Sequence, residues 1–346
     1  MNFLHRITKF HFMVMLVVTV ALMGCILPAA AVTVIDDAGN TISLNVTPSR
    51  IVSLSPSNTE ILAALGLLDR MVGVTDVDNY PPEVNNITHI GDYSAISIEK
   101  VAALQPDLVI SSDITPQATV DRLRELGLTV VVVSPQNIGD MIRDVRMVGM
   151  ITGTGPRADQ LAGNLSDRLN AVLPCTQPFD RPTVAHVVWD DPLYVSGNDT
   201  LQNDVILHAG GVNAFSEKDG WGTVSLEEFL MKNPDVIIVN GGNGMDPTKN
   251  DVILEEFMTN PQYASLSAVK NHRVYAVDAD IISRPGPRII DATEQVARLI
   301  HPECFTQTNT TVNTITTAPI KSPGFGAGSA VLIIFLMIFM RRGRKD

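Results

Sequence analysis

The chain has 346 residues, 45% apolar and 18% charged, with 25 Lys plus Arg against 37 Asp plus Glu and a formal net charge of −12. That apolar content excludes a disordered chain and provides material for about two packed domains. The acidity argues against nucleic acid, which needs a basic footprint, and three cysteines are too few for a disulfide scaffold.

The N-terminus reads as an export signal. Arg6 and Lys9 precede an almost purely apolar run from Met13 to Leu27, and Ala29-Ala30-Ala31 offers small residues for cleavage. Residues 1–31 are therefore assigned as a signal peptide rather than a transmembrane anchor. Leu22-Met23-Gly24-Cys25 also resembles a lipobox in which Cys25 would carry lipid, with Met unusual at its position.

β-Branched runs then alternate with helical patterns. Strands are predicted over 50–54, 72–74, 108–111 and 129–133, with helices over 98–104, 116–126 and 138–152. Ser57-Asn58-Thr59-Glu60 carries a capping-box signature, and Ile61, Leu62 and Leu65 continue that helix to Gly66. This βαβ series predicts a mainly parallel sheet covered by helices over residues 32–155. Residues 156–173 hold Leu161, Leu165, Leu169 and Val172 at helical spacing behind Pro156, which predicts one long linking helix. A second series follows over 174–304, with strands at 183–188, 236–240 and 274–277 and helices at 201–209, 226–232, 252–258 and 287–300.

The two series repeat each other. Ser97 to Ile110 aligns without a gap on Ser225 to Ile238, with five identities in 14 positions. Each copy has a Ser N-cap, a first-turn Glu, a Pro that stops the helix and an Asp before a strand. The fold class expected is α/β: two Rossmann-like lobes with mainly parallel sheets, joined by one long rigid helix, with a ligand cleft between them. A continuous helix resists hinge closure, so small lobe motion is expected.

The C-terminus carries a second targeting device. Residues 305–322 are Thr/Asn-rich with few charges and read as an extended, glycosylated stalk. Residues 323–346 combine an apolar run from Gly324 to Met340 with Arg341, Arg342, Arg344 and Lys345, a basic end that stays cytoplasmic. Ser322-Pro323-Gly324-Phe325 before that run resembles the PGF-type sorting signal of archaeal surface proteins, which implies removal of the tail and attachment to lipid. Either a transmembrane anchor or this lipid places the protein on the outer face of the cell membrane. With both ends removed, residues 32–322 hold 19 basic and 36 acidic groups, a net of −17.

Five N-x-S/T triplets, at Asn45, Asn86, Asn164, Asn198 and Asn309, fit a surface life. Once Cys25 leaves with the signal peptide, Cys175 and Cys304 remain, which in an exported protein reads as one disulfide or as two buried thiols.

The run Ile51-Val52-Ser53-Leu54-Ser55-Pro56-Ser57-Asn58-Thr59-Glu60, with Pro106-Asp107-Leu108-Val109-Ile110 after it, resembles the substrate-binding proteins of iron-siderophore and cobalamin ABC importers. The resemblance runs from Val34 to His301. Asp78-Asn79-Tyr80-Pro81-Pro82, Pro192 to Gly197 with Leu201-Gln202-Asn203, Trp221 before Val224-Ser225, and Arg284-Pro285-Gly286-Pro287-Arg288 resemble the cobalamin branch within it. First-lobe aromatics are sparse for a corrinoid binder, which leaves room for another chelate.

A corrin needs flat apolar faces and a few hydrogen-bonding groups at its rim. Trp221, between glycines in a presumed loop, and Tyr93, in the equivalent first-lobe loop, are the leading candidates, expected to clasp a ring from both sides. Tyr80 and Trp189 are cleft candidates, with a surface turn and the core as their respective alternatives. Ser57 and Asn58 at a helix N-terminus either meet ligand polar groups or simply cap the helix. The resemblance places a ligand-proximal arginine at Arg284, whereas Arg288 reads as structural. It also implies that Glu99 and Glu227, with Glu228 as alternate, dock onto arginines of a permease dimer powered by a cytoplasmic ATPase. First-turn acids otherwise simply stabilise their helices.

The expected protein is a monomeric, non-catalytic receptor with no intrinsic cofactor that captures a corrinoid. A ferric siderophore or haem is the alternative ligand. A free-metal-ion binder or an enzyme on the same scaffold is the alternative class, although no G-x-S-x-G, P-loop, H-E-x-x-H or C-x-x-C occurs. His89, His186, His208, His272 and His301 are scattered, and His186 alone is placed as a candidate axial cobalt ligand.

Overall fold

The computed structural model describes residues 31–177, 179–241 and 251–306. The signal peptide, Cys25, Asn309, the C-terminal tail and all but the first two stalk residues lie outside these. Among the described residues no helix is long and apolar enough to cross a membrane.

The chain opens with a hairpin of β1 (Val32–Ile35) and β2 (Thr41–Leu44). The first lobe follows: β3 (Ile51–Ser53), α1 (Pro56–Ala64), β4 (Met71–Gly73), a small hairpin of β5 (Gly91–Asp92) and β6 (Ala95–Ile96), α2 (Ile98–Ala103), β7 (Leu108–Ser111), α3 (Gln117–Glu125), β8 (Val130–Val132) and α4 (Ile138–Ile151). Its four-stranded sheet, in the order β4-β3-β7-β8, is parallel throughout. Strands β3, β7 and β8 are buried at every position, as a parallel sheet with helices on both faces requires.

Helix α5 (Gly155–Thr176) joins this lobe to the second and runs longer than the predicted 156–173, carrying Pro174 in its last turn. The second lobe contains β9 (Thr183–Asp190), β10 (Leu193–Ser196), α6 (Leu201–His208), β11 (Val212–Asn213), β12 (Trp221–Thr223), α7 (Leu226–Lys232), β13 (Val236–Gly241), α8 (Val252–Thr259), α9 (Ser267–Lys270), β14 (Val274–Asp278), α10 (Ala279–Ser283), α11 (Ile289–Ile300) and α12 (Pro302–Thr306). Strands β9, β13 and β14 are parallel, while β10 and β12 extend the sheet antiparallel beyond β9. Both strands are only three or four residues long, too short for a clear periodic signal, and β12 forms the sheet edge.

The internal repeat has a physical basis. Ser97 and Ser225 cap α2 and α7 by accepting the backbone N–H of Lys100 and of Glu228. Asp107, after the helix-stopping proline, accepts the Ser49 and Arg50 backbone N–H groups at 2.8 and 2.9 Å, at the start of β3. Asp235 accepts the Thr183 N–H at 2.9 Å at the start of β9. Each aspartate thus pins the strand that pairs with the one it precedes, which explains why Pro-Asp recurs in both halves.

One hydrophobic core joins the lobes. It runs from Ile61, Leu108 and Val145 through Ala158, Leu165 and Val172 of α5 to Val205, Ile238 and Val296. Helices α4 and α5 approach so closely that any side chain on Gly149 would collide with Ala158. Arg168 on α5 donates to Glu294 at 2.9 Å and Asp291 at 2.6 Å on α11. Cys175 and Cys304 form a disulfide between α5 and α12, with their Cα atoms 5.7 Å apart. A separate core of Phe215, Phe229, Phe257 and Tyr263 backs the outer face of the second sheet, joined there by Val187, Leu193 and Val195.

Candidate ligand-binding site

The segments that follow β4 in the first sheet and β14 in the second meet at the carboxyl ends of those strands. The segment after β14 delivers Arg284, whose guanidinium donates to Asn79 Oδ1 at 2.7 Å and to the Val77 carbonyl at 3.3 Å, both in the segment after β4. Asn79 in turn donates to Asp280 on α10 at 2.7 Å. Ligand sites in α/β folds lie beyond such strand ends.

The aromatic candidates of the second lobe lie on one face of one sheet. Residues paired across an antiparallel ladder project to the same side. Trp189 pairs with Tyr194, Tyr194 with Thr223, and Trp221 with Ser196. Leu193 and Val195 point into the phenylalanine core, so Tyr194 and its partners point away from it. Trp189, Tyr194 and Trp221 are respectively 44, 36 and 49% exposed. Trp221 therefore stands on edge strand β12 and not in a loop, its glycine neighbours notwithstanding. Tyr194, inside the matched stretch Pro192 to Gly197 but not among the ligand candidates, joins them here, since Leu193-Tyr194-Val195 alternates in, out, in. Trp189 donates its indole N–H to the Asp191 carbonyl, which fixes its ring.

On the first lobe, Tyr93 sits half-buried in the tight turn between β5 and β6. Tyr80 is exposed and stacks under Arg288 of the second lobe, with the guanidinium carbon 4.0 Å from the ring centre. Arg284 and Arg288 converge on Glu60. Arg288 makes a two-pronged bond to the Glu60 carboxylate at 2.5 and 3.0 Å, and Arg284 lies 3.6 Å away while also pairing with Asp280 at 2.7 Å. Burial holds the Glu60 carboxyl above its ordinary range, and the two arginines offset this only in part.

The capping box at 57–60 does not form. Helix α1 begins a residue earlier, Ser55 is its N-cap without a side-chain capping bond, and Glu60 is spent across the lobes. Asn58 is buried and donates to the Ser111 and Val133 carbonyls, tying α1 to the ends of β7 and β8. Ser57 is buried beside Ser55, their hydroxyls 3.3 Å apart. These positions support the structural alternative for both residues.

His186 is a correction. It is wholly buried, its Nε2 is 3.0 Å from Asn240 Oδ1, and burial lowers its imidazole to about 4. A ring with no exposed surface has no access to cobalt in a cleft. The other histidines are dispersed: His89 lies near Asp76, His208 near Asp204 and His301 near Glu303. Among the described residues no group of three or more His, Cys, Asp or Glu is placed to hold a metal.

Glu99 and Glu227 are both exposed in the first turns of α2 and α7. Glu228, the alternate, is half-buried and bound to Lys218 at 2.9 Å, so it is less available than Glu227. Asn45, Asn86, Asn164 and Asn198 are all exposed.

Comparison with known proteins matches residues 51–281 to the model of the Periplasmic binding protein family. The uncharacterized ABC transporter substrate-binding lipoprotein YvrC of Bacillus subtilis is 34% identical over 280 residues, covering 78% of this chain and 86% of that one. The crystal structure of the periplasmic vitamin B12 binding protein BtuF of Vibrio cholerae superposes with a TM-score of 0.66 at 28% identity, covering 74% of this chain and 97% of that one. The periplasmic heme-binding protein RhuT from Roseiflexus, in its apo form, gives a TM-score of 0.66 at 26% identity, covering 74% of this chain and 99% of that one. An α/β body with two sheets, one linking helix and a family match across both lobes shows that this chain belongs to the periplasmic binding protein family of substrate-binding proteins.

Proposed function

We propose that this protein is the extracytoplasmic receptor of an ABC importer, held at the cell surface by its C-terminal tail, and that it captures a corrinoid between its lobes. The observation that carries this reading is the shared face of Trp189, Tyr194 and Trp221. Three rings on one sheet face offer a flat apolar platform, with the exposed Thr223 hydroxyl on the same face for the amides at a corrin rim. The receptor is non-catalytic and monomeric, and import is driven by the ATPase of its permease partner.

Haem or a ferric siderophore is the second reading, favoured by the likeness to a heme-binding protein. Charge weighs against it. Haem carries two propionates and many siderophore chelates are anionic, whereas Arg284 and Arg288 at the lobe junction are already paired with Glu60 and Asp280. A corrinoid with neutral amides needs no unspent arginine.

Titration of residues 32–304 with cyanocobalamin, hemin and a ferric catecholate, followed by calorimetry and visible absorbance, tests both. Saturable corrinoid binding at least tenfold tighter than the other two is expected. Preferential binding of hemin or the catecholate overturns the corrinoid reading and establishes the second.

A further inference from the structure

Glu60 has no sequence signal for ligand contact, and it is 3% exposed, yet it meets two arginines of the other lobe. A carboxylate removed from water is costly unless paired and hydrogen-bonded. Here its partners come entirely from the other lobe: Arg288 through a two-pronged bond and Arg284 at 3.6 Å. The loop between them is shaped for this approach, since a side chain on Gly286 would come within 2.9 Å of Glu60 Oε2. The same Arg288 guanidinium covers the Tyr80 ring, and Arg284 holds Asn79 and Val77 of the Tyr80 segment.

We infer that Glu60 is a cross-lobe positioning residue: by fixing Arg288 it seats Tyr80 at the cleft and sets the separation of the two lobes there. The inference rests on the proposed function only in placing Tyr80 against ligand. Helix α5 limits large swings of the lobes, and the Glu60 clamp removes the residual freedom on the cleft side. A planar guanidinium is required, because a lysine ammonium provides neither the fork nor the stack.

The test uses the full body with its disulfide intact and spin labels at two exposed sites, through Asp121→Cys in the first lobe and Lys270→Cys in the second. Without ligand, the wild-type interlabel distance distribution is expected to be single and narrow. Glu60→Gln and Arg288→Lys should each broaden it and should raise the cyanocobalamin dissociation rate about tenfold. Tyr80→Leu should raise that rate alone, and combined with Glu60→Gln it should add less than twofold, the mark of residues acting through one another. Tyr80→Phe keeps the ring and should release ligand at the wild-type rate.

Unchanged distributions in both clamp variants overturn the inference. So does a broadened distribution with wild-type release, or full additivity of Glu60→Gln and Tyr80→Leu. Should Glu60→Gln fail to fold, Arg288→Lys carries the same comparison with charge retained. If wild-type protein binds no corrinoid, the function reading falls, and the ligand-free distances still decide whether the clamp sets lobe separation.

Discussion

Trp189 and Tyr194 stand directly opposite each other across the β9–β10 ladder, and both point away from the phenylalanine core of the second lobe. The hairpin that joins them turns through Asp191-Pro192, so backbone pairing and the Trp189 indole bond to the Asp191 carbonyl place the two rings. Truncating such a ring removes contact area from a ligand without opening a cavity. Tyr194→Ala and Trp221→Ala are each expected to weaken cyanocobalamin binding about tenfold, roughly 1.4 kcal/mol, with stability changed by no more than about 0.5 kcal/mol. Calorimetric titration beside urea denaturation separates the two effects; wild-type affinity in both variants removes this face from the site.

Glu99 and Glu227 occupy matching places in the repeat, exposed in the first turns of helices that carry the same serine cap. They also act in part as helix-dipole partners, an effect worth about 0.3–1 kcal/mol each. Glu99→Arg with Glu227→Arg is expected to leave cyanocobalamin affinity unchanged and to abolish ligand-stimulated ATP hydrolysis by the cognate transporter in vesicles. Stimulation at the wild-type level in the double variant refutes a docking role for this pair.

The parts legible in the sequence were those governed by local chemistry. Buried β-branched runs gave the parallel strands, and the Ser…Pro-Asp punctuation gave the repeated helix–strand units, since caps and strand-pinning aspartates act within a few residues of the elements they shape. The site was only partly legible. Trp221 looked like a loop residue because glycines flank it, and only the pairing with Ser196 reveals an edge strand. Glu60 fitted a local capping box, yet its partner Arg288 lies 228 residues away. Such long-range pairs leave no periodicity in the chain to read. His186, on a strand expected to approach the cleft, resembled a ligand because sequence does not tell which side of a sheet is sealed.

The disulfide between Cys175 and Cys304 closes a loop of 129 residues that contains the whole second lobe. Cross-linking residues so far apart restricts the unfolded chain strongly; the chain-entropy model gives about 5 kcal/mol, and measured values run nearer 2–4 kcal/mol. Cys175→Ser with Cys304→Ser is therefore expected to lose about 2–4 kcal/mol in urea denaturation while retaining ligand affinity, because the bridge joins α5 to α12 and shares no residue with the Glu60 clamp or the aromatic face. A loss below about 0.5 kcal/mol would show that the bridge does not constrain the unfolded chain.

His186 makes acid stability a test of the buried layer beneath the site. Burial holds its imidazole at about 4, against an ordinary value of about 6.5. Below pH 6.5 the unfolded chain takes up a proton that the folded chain refuses until about pH 4, so this residue costs stability progressively as pH falls across that window, by about 3 kcal/mol in full. Asp144 works in the opposite sense: burial and the neighbouring Asp37 charge raise its carboxyl to about 7, so the folded chain binds that proton first and gains stability as pH falls from 7. The two contributions offset each other in the wild type, and a simple stability profile hides both. Comparing wild type with His186→Gln isolates the histidine. The stability difference between them is expected to shift toward the variant by up to about 3 kcal/mol between pH 7.5 and pH 4, measured by urea denaturation at each pH. Parallel profiles would mean that the imidazole takes its proton as readily in the folded state as in the unfolded chain.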